Sequence, residues 1–247
     1  FGGGGAISKW QTLTSESLDI TEGNIYSDRI QNTAEQVGAN VGFHSVAGDL
    51  VLPVTPKMHS EWFQCALGQS SSPFYWARPL SSLMVQLDHD TSAVQASGCM
   101  VDSLALTSTQ GGELSATISL QCKGMSKCTA GSPSYSSGDN RYVHQDAVFK
   151  LNDVVDNSVT TWSITLANNL ISDLYGTSRT RLDIPASKLA VTGTFTKLFD
   201  DVAERDAFLN VSRRSFWVKF SRGSNYLTVY CPIITYNSHA ENISGQS

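Results

Sequence analysis

Most of the chain alternates between apolar and polar residues with a period of two, the pattern of β-strands that bury one face. The clearest example runs from Glu113 to Cys122, with Leu, Ala, Ile, Leu and Cys on one side and Glu, Ser, Thr, Ser and Gln on the other. A strand from Cys99 to Thr107 precedes it, and Gln110-Gly111-Gly112 between the two favours a tight hairpin. The sequence therefore predicts a mainly β protein in which these two strands are antiparallel neighbours.

Two segments have helical spacing instead. Lys57 to Leu67 follows Thr55-Pro56, a capping residue and a proline, and stops at Gly68, which are the usual boundaries of a short helix. The second segment, residues 202–209, follows a pair of aspartates that suit the positive end of a helix dipole. We expect Phe208 and Leu209 at its end to face the core.

The chain contains a weak internal repeat. Strands are predicted around Gly48 and around Gly193, and an alternating segment precedes each glycine, with Ile20 28 residues before the first and Ile164 29 residues before the second. Phe63 and Phe208 each follow their glycine by 15 residues. Identity between the halves is low, so the alternative is a chance match of two β patterns. The ordered succession of elements favours one unit duplicated in tandem.

This repeat predicts four parts along the chain: an N-terminal arm (1–16), a first unit (17–124), a Ser/Gly-rich linker (125–148) and a second unit (149–247). Each unit contains one long polar loop, residues 23–41 in the first and 171–187 in the second. Long uncommitted loops in compact domains are usually functional. We therefore expect both loops to reach neighbouring molecules.

Composition excludes several functions. The net charge is −5, and the closest approach to a basic cluster is Arg213-Arg214 with Lys219 and Arg222, so a nucleic-acid-gripping surface is not expected. The histidines are scattered and no CxxC pair occurs, so the sequence predicts no metal, no cofactor and no catalytic site. No apolar run approaches the ~20 residues of a membrane span, and no membrane contact is expected.

Five cysteines, an odd number, argue against a complete disulfide framework. Cys65, Cys99 and Cys231 lie among apolar residues and are predicted to be buried thiols. Cys122 and Cys128 flank a glycine turn, so a bond between them is the alternative to free thiols. Reduced cysteines would suit a protein assembled in a cytoplasm.

The succession of strand, long hairpin loop, strand 46–54, helix 57–67, strand 98–104 and returning hairpin 115–124 resembles that of the major tail tube proteins of long-tailed, siphovirus-type bacteriophages. The second half repeats the first four elements and adds residues 226–236. The resemblance covers nearly the whole chain, and it is one of pattern. It implies two tandem tail-tube-like β-sandwich or barrel units, each with one short flanking α-helix.

For function, the resemblance implies a structural virion protein, assembled in the bacterial host cytoplasm, whose rings stack into a tube for genome passage. A chain with two units would form homotrimeric pseudo-sixfold rings, with a homohexamer as the alternative. Expected partners are the tape measure, terminator and baseplate proteins, and double-stranded DNA that passes the lumen without specific binding. A baseplate or terminator role with the same fold also stays open.

Polar strand faces suit a wet channel wall, and the predicted channel-facing residues are Asp49, Glu113, Ser115, Thr117, Ser119, Gln121, Thr192 and Thr194. The predicted inter-ring residues of the two loops are Asn24, Asp28, Arg29, Gln31, Glu35, Asp173, Arg179 and Arg181. The rival interpretation is a secreted-type β-sandwich module that binds carbohydrate through Trp62, Tyr75, Trp76 and Trp217.

Overall fold

The computed structural model describes residues 9–26, 39–56, 58, 60–89, 92–133, 135, 141–198 and 202–240. The first half contains β1 (Ser15–Glu16), β2 (Asp19–Glu22), β3 (Ile25–Tyr26), β4 (Ala39–Asn40), β5 (His44–Pro53), α1 (Glu61–Leu67), β6 (Leu83–His89), β7 (Ser92–Thr109), β8 (Ser115–Cys122) and β9 (Gly124–Cys128). The second contains a 3₁₀ turn (His144–Asp146), β10 (Ala147–Leu151), β11 (Val154–Val155), β12 (Val159–Ala167), β13 (Ala190–Lys197), α2 (Ala203–Leu209), β14 (Arg214–Arg222) and β15 (Asn225–Ile234). The predicted mainly β class is confirmed.

The larger sheet has the strand order β1-β5-β8-β7-β12-β13, and every neighbouring pair is antiparallel. β2 also pairs with β5, while β6 and β9 flank the first part of β7. The predicted hairpin between β7 and β8 is confirmed, and Gly111 at its turn has a φ of +80°, which glycine adopts without strain. This sheet crosses both halves of the sequence, since β7 pairs with β12.

The smaller sheet, β11-β10-β14-β15, belongs to the second half. Phe149 and Phe220 of this sheet pack against Trp162 of the larger sheet, with ring centroids 6.3 and 5.8 Å apart. One hydrophobic cluster extends from Leu18 and Ile118 to these aromatic residues. The segment 125–148 adds Tyr142, 2% exposed, to the same cluster. Residues 17–124 and 149–247 thus share a sheet and a core.

Both helices are short, and their ends differ from the predicted ones. α1 begins at Glu61 after Ser60 instead of at Lys57, and it ends as predicted at Gly68, which has a φ of +87°. Leu209 of α2 is 67% exposed and Ala207 is the buried residue, so the expectation that Leu209 faces the core is wrong. Phe63 is the third residue of its helix and Phe208 the sixth, so they do not occupy equivalent helical positions.

The structure pairs Cys99 of β7 with Cys122 of β8 in a disulfide. The predicted free thiol at Cys99 and the alternative Cys122–Cys128 bond are therefore both wrong. The reason is the register of the β7–β8 pair. Met100 lies opposite Gln121, so Cys99, which precedes Met100, faces Cys122, which follows Gln121. Cys65 is a buried free thiol as predicted, and burial together with the nearby Glu61 carboxylate raises its pKa to about 11.

Candidate functional site

One face of the larger sheet is covered with small polar side chains. On β8 the other face is core, since Ala116, Ile118 and Leu120 are at most 1% exposed. Directly opposite residues of an antiparallel pair point to the same side, so the ladder registers identify the polar positions of five strands. We call these positions the polar face: Asp49, Ser103, Thr107, Thr109, Ser115, Thr117, Ser119, Gln121, Thr161, Ser163, Thr165, Thr192, Thr194 and Thr196.

The polar face contains seven of the eight predicted channel-facing residues, all but Glu113. Opposite residues form rows across the strands, and one row contains Thr117. Thr117 lies opposite Val51 of β5 on one side and Ala105 of β7 on the other. Ala105 lies opposite Thr165 of β12, which lies opposite Thr192 of β13. The contributions of β7 and β12 were missed from sequence. The alternation of residues 161–167 was the signal for them, but only the β7–β12 pairing places them beside β8.

The chemistry of the polar face is that of hydroxyl groups. The hydroxyls of Ser163 and Thr194 lie 2.8 Å apart, and Ser119 donates its hydroxyl hydrogen to the Asp49 carboxylate. Asp49 is the only charged side chain among these fourteen positions, and Asp19 of the edge strand β2 lies on the same side, opposite Ala47. Without cations, such a surface offers phosphate groups no electrostatic attraction.

Glu113 lies just before β8, outside the strand ladders that define the polar face. Its backbone bridges Val143, and its carboxylate accepts a hydrogen bond of 2.7 Å from Nη1 of Arg141. The Arg141 and Glu113 side chains are 43% and 35% exposed, so this surface pair contributes little to stability. The carboxylate of Glu113, a predicted channel-facing residue, is therefore paired with the Arg141 guanidinium, a partner that the sequence pattern did not indicate.

The two long loops leave the sheet at the same end. β5 and β13 point in the same direction because four antiparallel steps separate them, and each loop enters one of these strands. β3 pairs with β4 at the base of the first loop, where Asn24 is exposed. The predicted inter-ring residues Asp28, Arg29, Gln31 and Glu35 lie outside the described residues.

The second loop folds back onto the base of the first. The rings of Phe43 and Tyr175 stack with centroids 4.4 Å apart, Arg179 Nε donates to the Gly42 carbonyl at 3.3 Å, and the His44 N–H donates to the Arg179 carbonyl at 2.8 Å. Asp173 is exposed. The second loop and the described base of the first therefore form one surface at this end of the subunit.

Arg181 departs from its predicted role in contacts between rings, because it is only 6% exposed. Its Nη1 donates to the carbonyls of Val46 and Cys122, both at 3.0 Å. A guanidinium directed at two backbone carbonyls fastens the second loop to the end of the β5–β8 ladder. We assign Arg181 to the fold of the subunit instead of to its outer surface.

Replacing Arg181 with methionine keeps the aliphatic stem and removes both hydrogen bonds. We expect a loss of about 2 kcal/mol in the free energy of unfolding, because the Val46 and Cys122 carbonyls stay buried without a donor. Arg179→Met, on the same loop with an exposed side chain, should lose less than about 1 kcal/mol. Chemical denaturation of both variants measures the difference, and equal losses would contradict the assigned role of Arg181.

Within the described ranges, both edges of the larger sheet are accessible. β13 is the last strand on one side, and six of its eight residues are exposed. β1 and β2 form the opposite edge beside β5, and all their residues are exposed. Unpaired strand edges present rows of N–H and C=O groups that invite pairing with another chain.

A cleft of about 470 Å³ lies between the β10–β11 hairpin, the end of β13 and α2. Asp156 and Lys197 form an ion pair of 3.2 Å inside it. Burial alone would raise the pKa of Asp156, but hydrogen bonds from Ser158 and the Lys197 ammonium outweigh burial and lower it. The Asp156 carboxylate is thus held as a charged structural partner. Within the described ranges, no cluster of His, Cys, Asp and Glu could hold a metal ion.

The aromatic residues of the rival interpretation do not form one platform. Trp62 is half buried, and its indole Nε1 donates to Gln11 at 3.3 Å; Trp217 is also half buried and lies under Lys150 Nζ at 4.9 Å. Only Tyr75 and Trp76 are exposed, at 64% and 41%. Neither helix in the described part of the chain has the length and apolar character to cross a membrane.

A family model described as phage tail tube protein matches residues 4–245. A search of curated proteins finds no match. The family match extends over the polar face, both accessible sheet edges and both long loops.

Proposed function

The chain belongs to the phage tail tube protein family, and from this premise we propose that it is the subunit of stacked rings that form the tube of a siphovirus-type tail. The rings enclose the channel through which the genome passes during ejection. The observation that carries this proposal is the polar face, bounded by two accessible sheet edges. A sheet of this kind can close into a wall with a wet inner surface.

Ring closure pairs β13 of one copy with β2 and β1 of the next. The direction of the strands permits this pairing. The six strands from one edge to the other alternate in direction, so β13 of one copy and β2 of the next run antiparallel to each other. Three copies give 18 strands. With strands about 4.8 Å apart and tilted by about 40°, the backbone wall is about 36 Å across and the lumen about 25 Å after side chains are subtracted.

That lumen accommodates a B-form duplex about 20 Å wide. Six copies would double the wall to about 70 Å, so the homotrimer is preferred to the homohexamer. Residues 17–124 and 149–247 then act as the two pseudo-equivalent units of each subunit, with 1–16 as an arm and 125–148 as the linker. The polar face lines the lumen, where DNA slides without specific binding because no cation on that face attracts phosphate.

The surface at the loop end, with Asn24, Asp173 and Arg179, contacts the next ring. Tape measure, terminator and baseplate proteins are the further partners of the tube in the virion, after assembly in the host cytoplasm. The chain acts structurally and not as an enzyme. The second candidate function, a carbohydrate-binding module, is favoured only by the exposed Tyr75–Trp76 pair, and it requires a monomer that binds glycans.

A protection experiment tests the proposed function. Thr117→Cys places a thiol in the middle of the polar face, and Tyr75→Cys places one on the insert after α1. In free subunits, a maleimide that carries an unfolded polymer of about 5 kDa, wider than the proposed lumen, should modify both cysteines. In tubes identified by negative-stain electron microscopy, we expect modification at position 117 to be at least about tenfold slower and modification at position 75 to be unchanged. The modification of the native cysteines, measured on the unsubstituted chain, is subtracted from both rates.

The outcome distinguishes the candidates. A protein that stays monomeric at high concentration and binds glycans would support the module. Tubes in which position 117 stays fully reactive would refute the lumen assignment of the polar face.

A further inference from the structure

The outer edge of β2 presents the backbone groups of its even-numbered residues. The N–H groups of Ser17 and Gly23, one on each side of the strand, donate at 2.9 Å to carbonyls on the β5 side. Backbone direction alternates along a strand. The N–H and C=O groups of Leu18, Ile20 and Glu22 therefore point away from β5, toward the outer edge.

Within the subunit, two of these outward N–H groups are capped by carboxylates of the same edge. The Leu18 N–H donates to Glu16 Oε2 at 3.1 Å. The Ile20 N–H donates to Asp19 Oδ1 at 2.7 Å. Glu16 and Asp19 are exposed, so the carbonyls of another strand can replace either carboxylate. Because charged side chains on an edge restrain indiscriminate pairing, the single subunit is protected without being closed to a specific partner.

β13 presents its odd-numbered residues at the opposite edge of the larger sheet. The Leu198 N–H, directly after β13, donates to the Ser158 carbonyl, directly before β12, at 2.9 Å. Even-numbered residues of β13 therefore face β12, and Val191 and Gly193 face outward. We call the pairing of β13 of one copy with β2 of the next the seam. Backbone hydrogen bonds across the seam require an even-numbered residue of β2 opposite an odd-numbered residue of β13.

Registers that meet this condition also continue both faces of the sheet. Asp19 and Thr192 are on the side of the polar face, whereas Ile20 and Val191 are on the core side. An even-numbered residue opposite an odd-numbered one therefore joins core side to core side and polar side to polar side. The seam needs no bulge.

The exposed apolar residues of the two edges select one register of this set. On the core side, Ile20 is 39% exposed and Val191 is 48% exposed. Placed directly opposite each other, they form a cross-strand pair that covers both. A shift by two residues would instead place Val191 opposite Leu18, which is only 5% exposed and needs no cover, or opposite the charged Glu22.

The same register places Asp19 opposite Thr192 on the side of the polar face. A matching pair exists within the subunit, where Ser119 lies opposite Asp49 and donates its hydroxyl hydrogen to the carboxylate. A shift in one direction would replace Thr192 by an alanine. A shift in the other would replace it by Thr194, whose hydroxyl already lies 2.8 Å from a hydroxyl on β12.

We propose that Val191 of one copy lies directly opposite Ile20 of the next copy in the ring, with Thr192 opposite Asp19. The Ile20 N–H then exchanges the Asp19 carboxylate for the Val191 carbonyl, and the carboxylate accepts the Thr192 hydroxyl hydrogen instead. Asp19 thereby protects the edge of a single subunit and becomes part of the seam when the ring closes. The proposal rests on the ring described under the proposed function and defines the register by which it closes.

Pairs of cysteines test the register. Directly opposite residues that exchange hydrogen bonds have Cα atoms about 5.5 Å apart, which a disulfide can span. Ile20→Cys combined with Val191→Cys should therefore yield disulfide-linked chains under oxidising conditions, up to the number of copies in the ring. Glu22→Cys with Val191→Cys is the matched control on the same side of the sheet. Its diagonal separation of about 7–8 Å should reduce the linked product at least about tenfold. Single-cysteine variants measure the background from the native thiols.

Thr192→Val tests the polar contact, since it keeps the β-branched shape and removes the hydroxyl donor. We expect the protein concentration needed for ring formation to rise at least about fivefold, because each seam loses a hydrogen bond to a charged group. The single subunit should keep its circular dichroism spectrum and Tm, because Thr192 is exposed. Thr165→Val is the matched control, the same change on the neighbouring strand of the polar face. It should assemble like the unsubstituted chain in sedimentation velocity.

The outcomes separate the register from the ring. Linked chains from the Glu22 pair in place of the Ile20 pair would overturn the register. Rings that give no linked product from either pair would overturn the pairing of these two edges. Equal assembly of Thr192→Val and Thr165→Val would overturn the contact between Asp19 and Thr192. Absence of rings from the unsubstituted chain would overturn the proposed function itself.

Discussion

Val191→Pro is expected to leave the subunit folded and to abolish rings and tubes. The carbonyl of Thr196 faces β12, because it accepts a hydrogen bond from Thr160 Oγ1 at 3.2 Å. Backbone direction alternates along a strand, so even-numbered residues of β13 face β12 and Val191 faces the free edge. Proline is tolerated at such an edge position within the subunit. It removes the N–H that the next copy would use.

The expected effect is large because each junction loses a hydrogen bond of about 1 kcal/mol and must also accommodate the proline ring, which together should exceed about 3 kcal/mol. A ring of three has three such junctions, so closure fails. Sedimentation velocity and electron microscopy measure assembly, and circular dichroism verifies the fold. Val191→Thr retains the N–H and should form tubes. If Val191→Pro forms normal tubes, β13 is not the edge through which rings close.

The elements that the sequence predicted well are those determined by local pattern. Alternation from 113 to 122 identified β8 and its buried face, and the paired glycines identified the hairpin to β7. The polar face was partly predictable for the same reason, since alternation tells which side chains share a face within one strand. Gly68 ended α1 as expected because a left-handed residue is needed there.

The features that were missed depend on contacts between segments distant in sequence. Arg181 is buried because two carbonyls at the end of the β5–β8 ladder meet its guanidinium, and nothing near it in sequence indicates those acceptors. The Cys99–Cys122 bond likewise follows from the β7–β8 register, whereas the closer spacing favoured Cys122 and Cys128. Arg141 pairs with Glu113 across 28 residues. Sequence periodicity contains no information about such partners.

Trp162 packs between the two sheets. It is fully buried on β12, where it lies opposite Phe195 of β13 and Ser108 of β7. The rings of Phe216 and Phe220, both on β14, lie 6.1 and 5.8 Å from it. Within the described part of the chain, its indole Nε1 has no hydrogen-bond partner. Its contribution is therefore one of packing and buried apolar area.

Trp162→Ala should lower the free energy of unfolding by about 3–5 kcal/mol, because the cavity between the two sheets cannot collapse when both are held by their own ladders. For a chain of this size, that corresponds to a Tm lower by roughly 10 °C. Trp162→Phe should recover about half of the loss, since no hydrogen bond is at stake. Trp76→Ala, at an exposed tryptophan, should change stability by less than about 0.5 kcal/mol.

The shape of the transition is as informative as its midpoint. Because the larger sheet and the hydrophobic cluster both cross from residues 17–124 to 149–247, we expect Trp162→Ala to shift a single cooperative transition in calorimetry. The fluorescence of the remaining tryptophans in both halves should change together. Two separated transitions, of which only one moves, would mean that the halves unfold independently and that the shared core does not couple them. In that case the β7–β12 pairing would act as a hinge between two units instead of a rigid part of the ring wall.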